Sequence, residues 1–266
     1  MSYSYKDIIG ACQYPIVGMN KNSKKWEVVG TCVLIEIGDR HFLVTAAHVM
    51  NERHNVLDKT LWLWNHADGV KTTINEDIVC NPYNNVPHES DVAIIEINPS
   101  EYPNLSPNQS IDFNYISTEL NILDDSTGGF IISGYPSSKN KIVGNINRQP
   151  IIHNIITSAH YNNESPTIVE LEYNNAMLDK SSSMLPKPQG MSGGGVWKIS
   201  NTNKELKLIA ISVAHLLGSK KVVAVKITLV LSMLKFYFPG TLLDKISLPI
   251  KIKGDDLFAS ITVPLQ

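Results

Sequence analysis

The feature that most constrains this fold is a repeated pattern of short β-branched apolar runs, each closed by turn-forming residues. Val28 to Ile37 (VVGTCVLIEI) and Arg40 to Ala46 (RHFLVTA) flank Gly38-Asp39. Two such runs around a two-residue turn read as a β-hairpin. Runs at Leu61 to Trp64, Val92 to Ile97, Phe130 to Ser133, Lys141 to Ile146, Ile152 to Thr157, Thr167 to Glu172, Gly195 to Lys198, Leu206 to Val213 and Lys221 to Val225 predict further strands. Pro82, Pro87, Pro99, Pro103 and Pro107 crowd the turns and discourage long helices. The pattern predicts a barrel or sandwich, not an α/β fold. Ile227 to Phe238 (ITLVLSMLKFYF) is the best helix candidate, although its β-branched residues suit a strand almost as well; Pro239-Gly240 stops it. Thr241 to Gln266 predicts one or two more strands.

A chain of 266 residues can form one all-β enzyme or two barrels sharing an interface. Hydrophobic residues at 43% and charged residues at 18% set a globular, not a disordered, balance. A net charge of -2 gives no bulk case for nucleic acid as a partner. Cys12, Cys32 and Cys80 form no CxxC pair, so no zinc site of that kind is indicated, and three free thiols are expected. The first twenty residues lack a basic region followed by an apolar core, and the longest apolar stretches fall short of a bilayer span. A cytoplasmic protein with no membrane partner is expected. The segment Pro99 to Asn121, rich in Pro, Asn and Ser, reads as a linker between residues 1–120 and 121–266.

Three residues could carry chemistry. Ser192 lies in Gln189-Gly190-Met191-Ser192-Gly193-Gly194-Gly195. Glycines around a serine permit a tight turn and let backbone N–H groups converge on one point, which a serine nucleophile needs for its developing oxyanion. The same string also fits a Gly-rich hairpin with an incidental serine. His48 follows a predicted strand in Thr45-Ala46-Ala47-His48, where it could be a base or a histidine satisfied by local hydrogen bonds. Asp91, at the mouth of the apolar run Val92 to Ile97, could orient an imidazole or simply cap a turn. Their order is His, Asp, Ser, with the first two in the first half and the serine in the second. A cleft between two halves could therefore be lined from both sides.

Together these strings resemble the trypsin-like, chymotrypsin-fold serine peptidases, in style closest to bacterial HtrA-type protease domains. The matching strings are Gly30-Thr31, Thr45-Ala46-Ala47-His48, Asp91-Val92-Ala93, Gly134-Tyr135-Pro136 and Gly190-Met191-Ser192-Gly193-Gly194. The resemblance implies two antiparallel six-stranded β-barrels with the active site in the cleft between them, plus a short C-terminal helix and tail. It implies His48 as general base, Asp91 as its orienting carboxylate and Ser192 as nucleophile. It also implies an oxyanion hole from the N–H groups of Gly190 and Ser192. Ser212 resembles the serine on the substrate-binding strand. Val213, Ala214 and His215, with Leu185 to Gln189, would border the specificity pocket. Pro186 stands where trypsin carries its acidic floor, and His215 reads more readily as a surface turn residue than as a pocket wall. No cofactor or metal is implied. The substrate would be a protein or peptide, and a regulatory protein partner is a further expectation.

Two departures stand out. Met191 precedes the nucleophile where secreted trypsin-like enzymes have an aspartate, the acceptor for a freed N-terminal amine. Ile8-Ile9-Gly10 therefore reads as an ordinary turn and not as an activation site. Gly195 replaces the proline that usually follows SGG, which predicts extra backbone freedom beside the site. Rival readings are a protease-like binding or scaffold domain with an idle or partner-activated triad, and an esterase. The string GxSGG also fits the nucleophile elbow of α/β-hydrolases, but that fold requires a Ser, acid, His order for which His215 leaves little room.

Overall fold

The structure, a computed structural model, describes residues 4–64, 71–74, 78–80, 91–102, 105, 110–122, 129–140, 154–173, 185–253 and 260–262. The strand expected at Lys141 to Ile146 lies outside them. The architecture is two mostly antiparallel β-sheets, broadly consistent with a chymotrypsin-like double β-barrel.

The first sheet contains β1 (Gln13–Met19), β2 (Trp26–Ile37), β3 (Arg40–Thr45), β4 (Trp62–Trp64), β5 (Lys71–Thr73), β6 (Ile78–Cys80), β7 (Ala93–Ile97) and β8 (Ile111–Asp112). Its order is β5-β4-β1-β2-β3-β7-β6, with β8 parallel to β2. The second sheet contains β9 (Gly129–Gly134), β10 (Ile155–Glu164), β11 (Ile168–Glu172), β12 (Gly195–Ile199), β13 (Leu206–Leu216) and β14 (Lys221–Lys226), closed into a barrel. The expectation of two closed six-stranded barrels thus holds for the second sheet only. The first curls but stays open among the described residues, because its terminal strands β5 and β6 do not pair with each other.

Most apolar runs fold as the strands they predict. β1 is an addition, because Pro15 and Gly18 interrupt its sequence pattern. It is nevertheless buried along nearly its whole length, paired with β2 and β4 and bonded through Gln13 to Ser133 of the closed barrel. A second addition is α1 (Tyr5–Ala11), started by a capping box in which Ser4 and Asp7 satisfy each other's backbone N–H groups. It contains Ile8, Ile9 and Gly10, so that segment is helical and not a turn, with Ile9 fully buried. A five-residue helix, α2 (Ala47–Asn51), follows β3. The helix expected near the C-terminus forms as α3 (Ile227–Tyr237), with Ile227 to Leu234 all buried. A segment apolar on every side suits either element. Packing against β13, β14 and the following chain lets the helix satisfy its backbone internally while burying all faces. The tail supplies a separate hairpin of β15 (Lys251–Lys253) and β16 (Ser260–Thr262). No helix among the described residues is long and apolar enough to cross a membrane.

One apolar core runs across both sheets, joining Val33, Phe42 and Ile94 of the first to Trp197, Leu208 and Val225 of the second. A smaller core fills the closed barrel, with Ile132, Leu171, Met191 and Val222 in it. Cys12 and Cys32 are free and buried, which raises both thiol pKa values, Cys12 to about 12. The Cys80 side chain lies outside the described residues.

The connection between the sheets is held by lysines. Lys198, Lys207 and Lys226 donate to the carbonyls of Ile122, Asn114 and Leu120. Lys226 is 2% exposed, and its ammonium also meets Glu164 at 2.6 Å. A buried ammonium that loses its carboxylate is costly, of order 3 kcal/mol, whereas removing both charges together costs less. Glu164→Ala is therefore expected to destabilise the fold by about 3 kcal/mol in urea unfolding. The double variant Lys226→Met with Glu164→Leu is expected to be more stable than that single variant.

Candidate functional site

Strand register brings His48 and Asp91 together. β3 and β7 pair antiparallel with Thr45 opposite Ala93. Just beyond that end of the ladder, where α2 begins, the Ala47 N–H donates to the carbonyl of Asp91, two residues before β7, at 3.3 Å. α2 starts there without a side-chain cap from its own N-cap residue, Ala46. Asp91 serves instead: its Oδ1 accepts from the His48 N–H at 2.9 Å. Its Oδ2 lies 2.6 Å from His48 Nδ1. In the neutral ring, a carboxylate facing Nδ1 selects the tautomer with its proton there and the lone pair on Nε2. The Asp91 side chain is 12% exposed and that of His48 45%, so the carboxylate is shielded while the ring reaches solvent.

Ser192 sits in the turn before β12, half-buried, and the peptide groups leading to it are tied down. The Gln189 carbonyl accepts from Ser137 N at 2.7 Å and the Met191 carbonyl from Gly194 N at 2.9 Å. Between them, the Gly190 carbonyl accepts from Thr31 Oγ1 at 2.8 Å. The peptide bonds of the described residues are all trans, so each N–H points opposite to the carbonyl of its own peptide group. The Gly190 N–H is thereby turned away from Ser137, and the Ser192 N–H away from Gly194. Neither N–H finds a partner among the described residues. The Ser192 hydroxyl makes no hydrogen bond to a described residue, His48 included.

Glycine is required at two points of this turn. Gly190 has φ +88, and a Cβ there would lie 2.7 Å from the Tyr135 carbonyl oxygen. Gly193 has φ +86, and its Cβ would lie 1.9 Å from the Thr31 carbonyl oxygen. The turn is thus pressed directly onto β2. Gly195 answers a different need from the freedom expected of it. It is buried in β12, and a Cβ would lie 2.6 Å from Trp197 Nε1. That indole donates to Ser133 Oγ at 2.8 Å, Gln13 Nε2 donates to the same oxygen at 2.6 Å, and Ser133 donates to the Gly195 carbonyl at 3.0 Å. The hydroxyl uses its one proton and both lone pairs, so this buried network is closed.

Met191 is fully buried and belongs to the barrel core, with its Sδ 3.6 Å from the Tyr173 hydroxyl. Tyr173 also donates to the Pro186 carbonyl at 3.0 Å, and burial pushes its phenol up to about 12. Pro186 is buried and Gln189 exposed. Ser212 holds the turn with its main chain, accepting from Gly193 N at 2.6 Å and donating to the Gly194 carbonyl at 2.8 Å. Its Oγ is buried without a partner among the described residues. Val213 is in the core between the sheets, and Ala214 is half-buried.

His215 is no surface turn residue. It lies in β13, and its ring packs edge-on against Tyr173 with centroids 5.7 Å apart. Its Nε2 is buried and unpartnered among the described residues. Burial first, then the nearby His48 charge, lower its pKa to about 4. Sequence reasoning missed the roles of Thr31, Ser137 and Tyr173 at this site. A threonine in a strand and a tyrosine at a strand end carry no local signal of such a task.

The chain matches no protein-family model, and no curated protein matches its sequence.

The shift of His215 sets a pH dependence. Between about pH 6.5 and 4 the unfolded chain takes up a proton at this residue that the folded chain refuses. This contribution lowers stability as pH falls through that window and is absent above it. His215→Phe keeps an aromatic contact with Tyr173 and removes the ionisation. The wild type is expected to lose more stability than this variant between pH 7 and pH 4.5 in urea unfolding, and the His215 ring should titrate near pH 4 by NMR.

Proposed function

We propose that the protein is a serine endopeptidase that hydrolyses peptide bonds through an acyl-enzyme. The observation that carries this reading is the His48–Asp91 pair. Asp91 grips Nδ1 and the backbone N–H of His48, which leaves Nε2 as a free base on the sheet onto which the Ser192 turn is docked.

In this proposal Ser192 Oγ attacks the scissile carbonyl carbon while His48 Nε2 takes the hydroxyl proton. The carbonyl oxygen becomes an oxyanion, received by the N–H groups of Gly190 and Ser192. The carbon–nitrogen bond then breaks, and the imidazolium returns its proton to the departing amine. Water deprotonated by His48 attacks the ester, and Ser192 leaves with that proton. Asp91 holds the tautomer and offsets the imidazolium charge without taking the proton. No metal ion or cofactor has a part in these steps.

The substrate is proposed to lie along β13. Pairing with β12 stops at Gly195 opposite Ile211, and beyond it Ala214, His215 and Leu216 pair only with β14 among the described residues. That leaves a strand edge for an extended peptide. Pro186, Gln189, Ser212, Val213 and His215 are proposed around its specificity pocket. A proline, a buried tyrosine and a neutral imidazole suit an uncharged side chain.

An α/β-hydrolase elbow is excluded by the fold, since Ser192 precedes a strand of a closed antiparallel barrel. A second reading, a site completed only when substrate or a partner arrives, is favoured by one observation, the absence of a Ser192–His48 hydrogen bond among the described residues. Labelling of the isolated protein separates the two.

An active-site phosphonate is expected to add once to purified wild-type protein at Ser192, read by mass spectrometry, and not to Ser192→Ala. Undiminished labelling or hydrolysis by Ser192→Ala contradicts the proposal; absence of labelling until a partner is added favours the second reading. Asp91→Asn is expected to lower kcat by about 10⁴ with the fold intact. A protein shortened to begin at Ile8 is expected to gain no activity. Met191 offers a new amine no balancing carboxylate, and Ile8 to Gly10 already form part of α1.

A further inference from the structure

Thr31 is fully buried in β2, opposite Pro15 of β1. Hydrogen bonding alternates in direction along a strand. The Leu34 N–H turns to β1, reaching the Cys12 carbonyl at 2.8 Å, so Thr31 turns its own N–H and C=O to the β3 side. Pairing of β2 with β3 begins only at Val33 opposite Val44, two residues later. The nucleophile turn occupies the vacant register.

All three hydrogen-bonding groups of Thr31 are engaged there, in four bonds. Its N–H donates to the Ser192 carbonyl at 2.8 Å, and its carbonyl accepts from Thr45 Oγ1 at 2.6 Å. Its hydroxyl donates to the Gly190 carbonyl at 2.8 Å and accepts from Tyr135 N at 3.0 Å. The hydroxyl thus ties three segments, β2, the start of the chain after β9, and the Ser192 turn. The peptide groups that it and the Thr31 N–H hold are those just after Gly190 and just after Ser192. Each adjoins a peptide group that carries one of the two unpartnered N–H groups.

We infer that the Thr31 hydroxyl is a positioning residue for the site, which sets the direction of the Gly190 and Ser192 N–H groups toward an oxyanion. The inference rests on the proposed serine-peptidase chemistry for its purpose, but its geometry can be read separately. A Gly190 carbonyl with φ +88 on its own residue has little steric resistance to rotation. The hydroxyl bond, between a fully buried Thr31 and a buried Gly190, resists that rotation. The main-chain bonds of Thr31 survive any side-chain replacement, so the turn stays docked when only the hydroxyl is lost. Thr31→Val keeps the volume and leaves the Gly190 carbonyl and the Tyr135 N–H without a hydroxyl. Thr31→Ser keeps the hydroxyl and loses a methyl.

The test compares wild type, Thr31→Val and Thr31→Ser in full-length protein by two readouts. One is the kinetics of phosphonate labelling at Ser192; the other is hydrogen exchange of peptides spanning residues 185–196. For Thr31→Val, the maximal labelling rate is expected to fall about tenfold with the half-saturating phosphonate concentration unchanged, because a misdirected donor weakens transition-state rather than ground-state contacts. Exchange should rise in the 185–196 segment and at the Tyr135 N–H, which loses its acceptor, and not elsewhere, and Thr31→Ser should restore both readouts. Equal labelling rates in wild type and Thr31→Val overturn the inference, as does an equal loss in Thr31→Ser. Should wild type fail to label, the functional proposal fails. Exchange then decides this one: faster exchange in Thr31→Val alone upholds the geometric role, and unchanged exchange overturns it. If Thr31→Val does not fold, the Thr31→Ser and wild-type pair carries the comparison, and a tenfold loss in Thr31→Ser contradicts the inference.

Discussion

The structure depends on a short join between two sheets: Thr31 of β2 bonded on both its main chain and its side chain to the turn that carries Ser192. Each bond alone contributes about 1 kcal/mol net. Their weight comes from burial and closure. Because Thr31 is fully buried, an unsatisfied partner would cost more than the bond contributes, so its four bonds hold one arrangement against its alternatives. The glycine pattern follows from the same contact. Gly193 has to be glycine because the Thr31 carbonyl lies where its Cβ would be, and Gly190 because the turn requires a positive φ against the Tyr135 carbonyl. The string GMSGG is then a record of how closely two sheets approach.

A second buried network reinforces the join from the far side. Gln13 of β1 reaches Ser133 of β9, and the Tyr135 hydroxyl donates to the Gln13 carbonyl at 3.0 Å. Asn154 bridges Gln13 and the Gly134 N–H. Trp197 enters the same network, which is why position 195 tolerates no side chain. Beneath the Ser192 turn this chain buries Met191 against Tyr173. An apolar thioether fills space without demanding a partner, and the surrounding carbonyls and hydroxyls do the orienting.

Much of this was legible in the sequence where one physical signal dominated. The β2–β3 hairpin follows from two apolar runs about Gly38-Asp39, and it forms with Ile37 opposite Arg40. His48 and Asp91 were legible as strings, and strand register makes them neighbours. β1 was not legible, because Pro15 and Gly18 break the pattern of a strand whose burial comes from tertiary contacts on both faces. β10 runs beyond Thr157 to Glu164 through polar residues such as His160 and Asn163, which pairing with β11 holds extended despite a bulge at Asn162. α1 has only Ile9 as a fully buried anchor and depends on its cap. An open first sheet could not be foreseen from strand-forming runs, since closure depends on whether the last strand meets the first. His215 misled because the turn residues Gly218-Ser219 follow it closely, while β13 continues past it to Leu216.

The central claim is that the docked turn presents a serine between the His48 base and two free N–H groups. A crystal structure of the phosphonate-treated protein tests it most directly. The account predicts a covalent bond from Ser192 Oγ to phosphorus, with the phosphoryl oxygen about 2.7–3.1 Å from both Gly190 N and Ser192 N. It also predicts His48 still bound to Asp91 through Nδ1. An adduct on another residue, or a Ser192 adduct whose phosphoryl oxygen points to solvent with both N–H groups turned away, would contradict it.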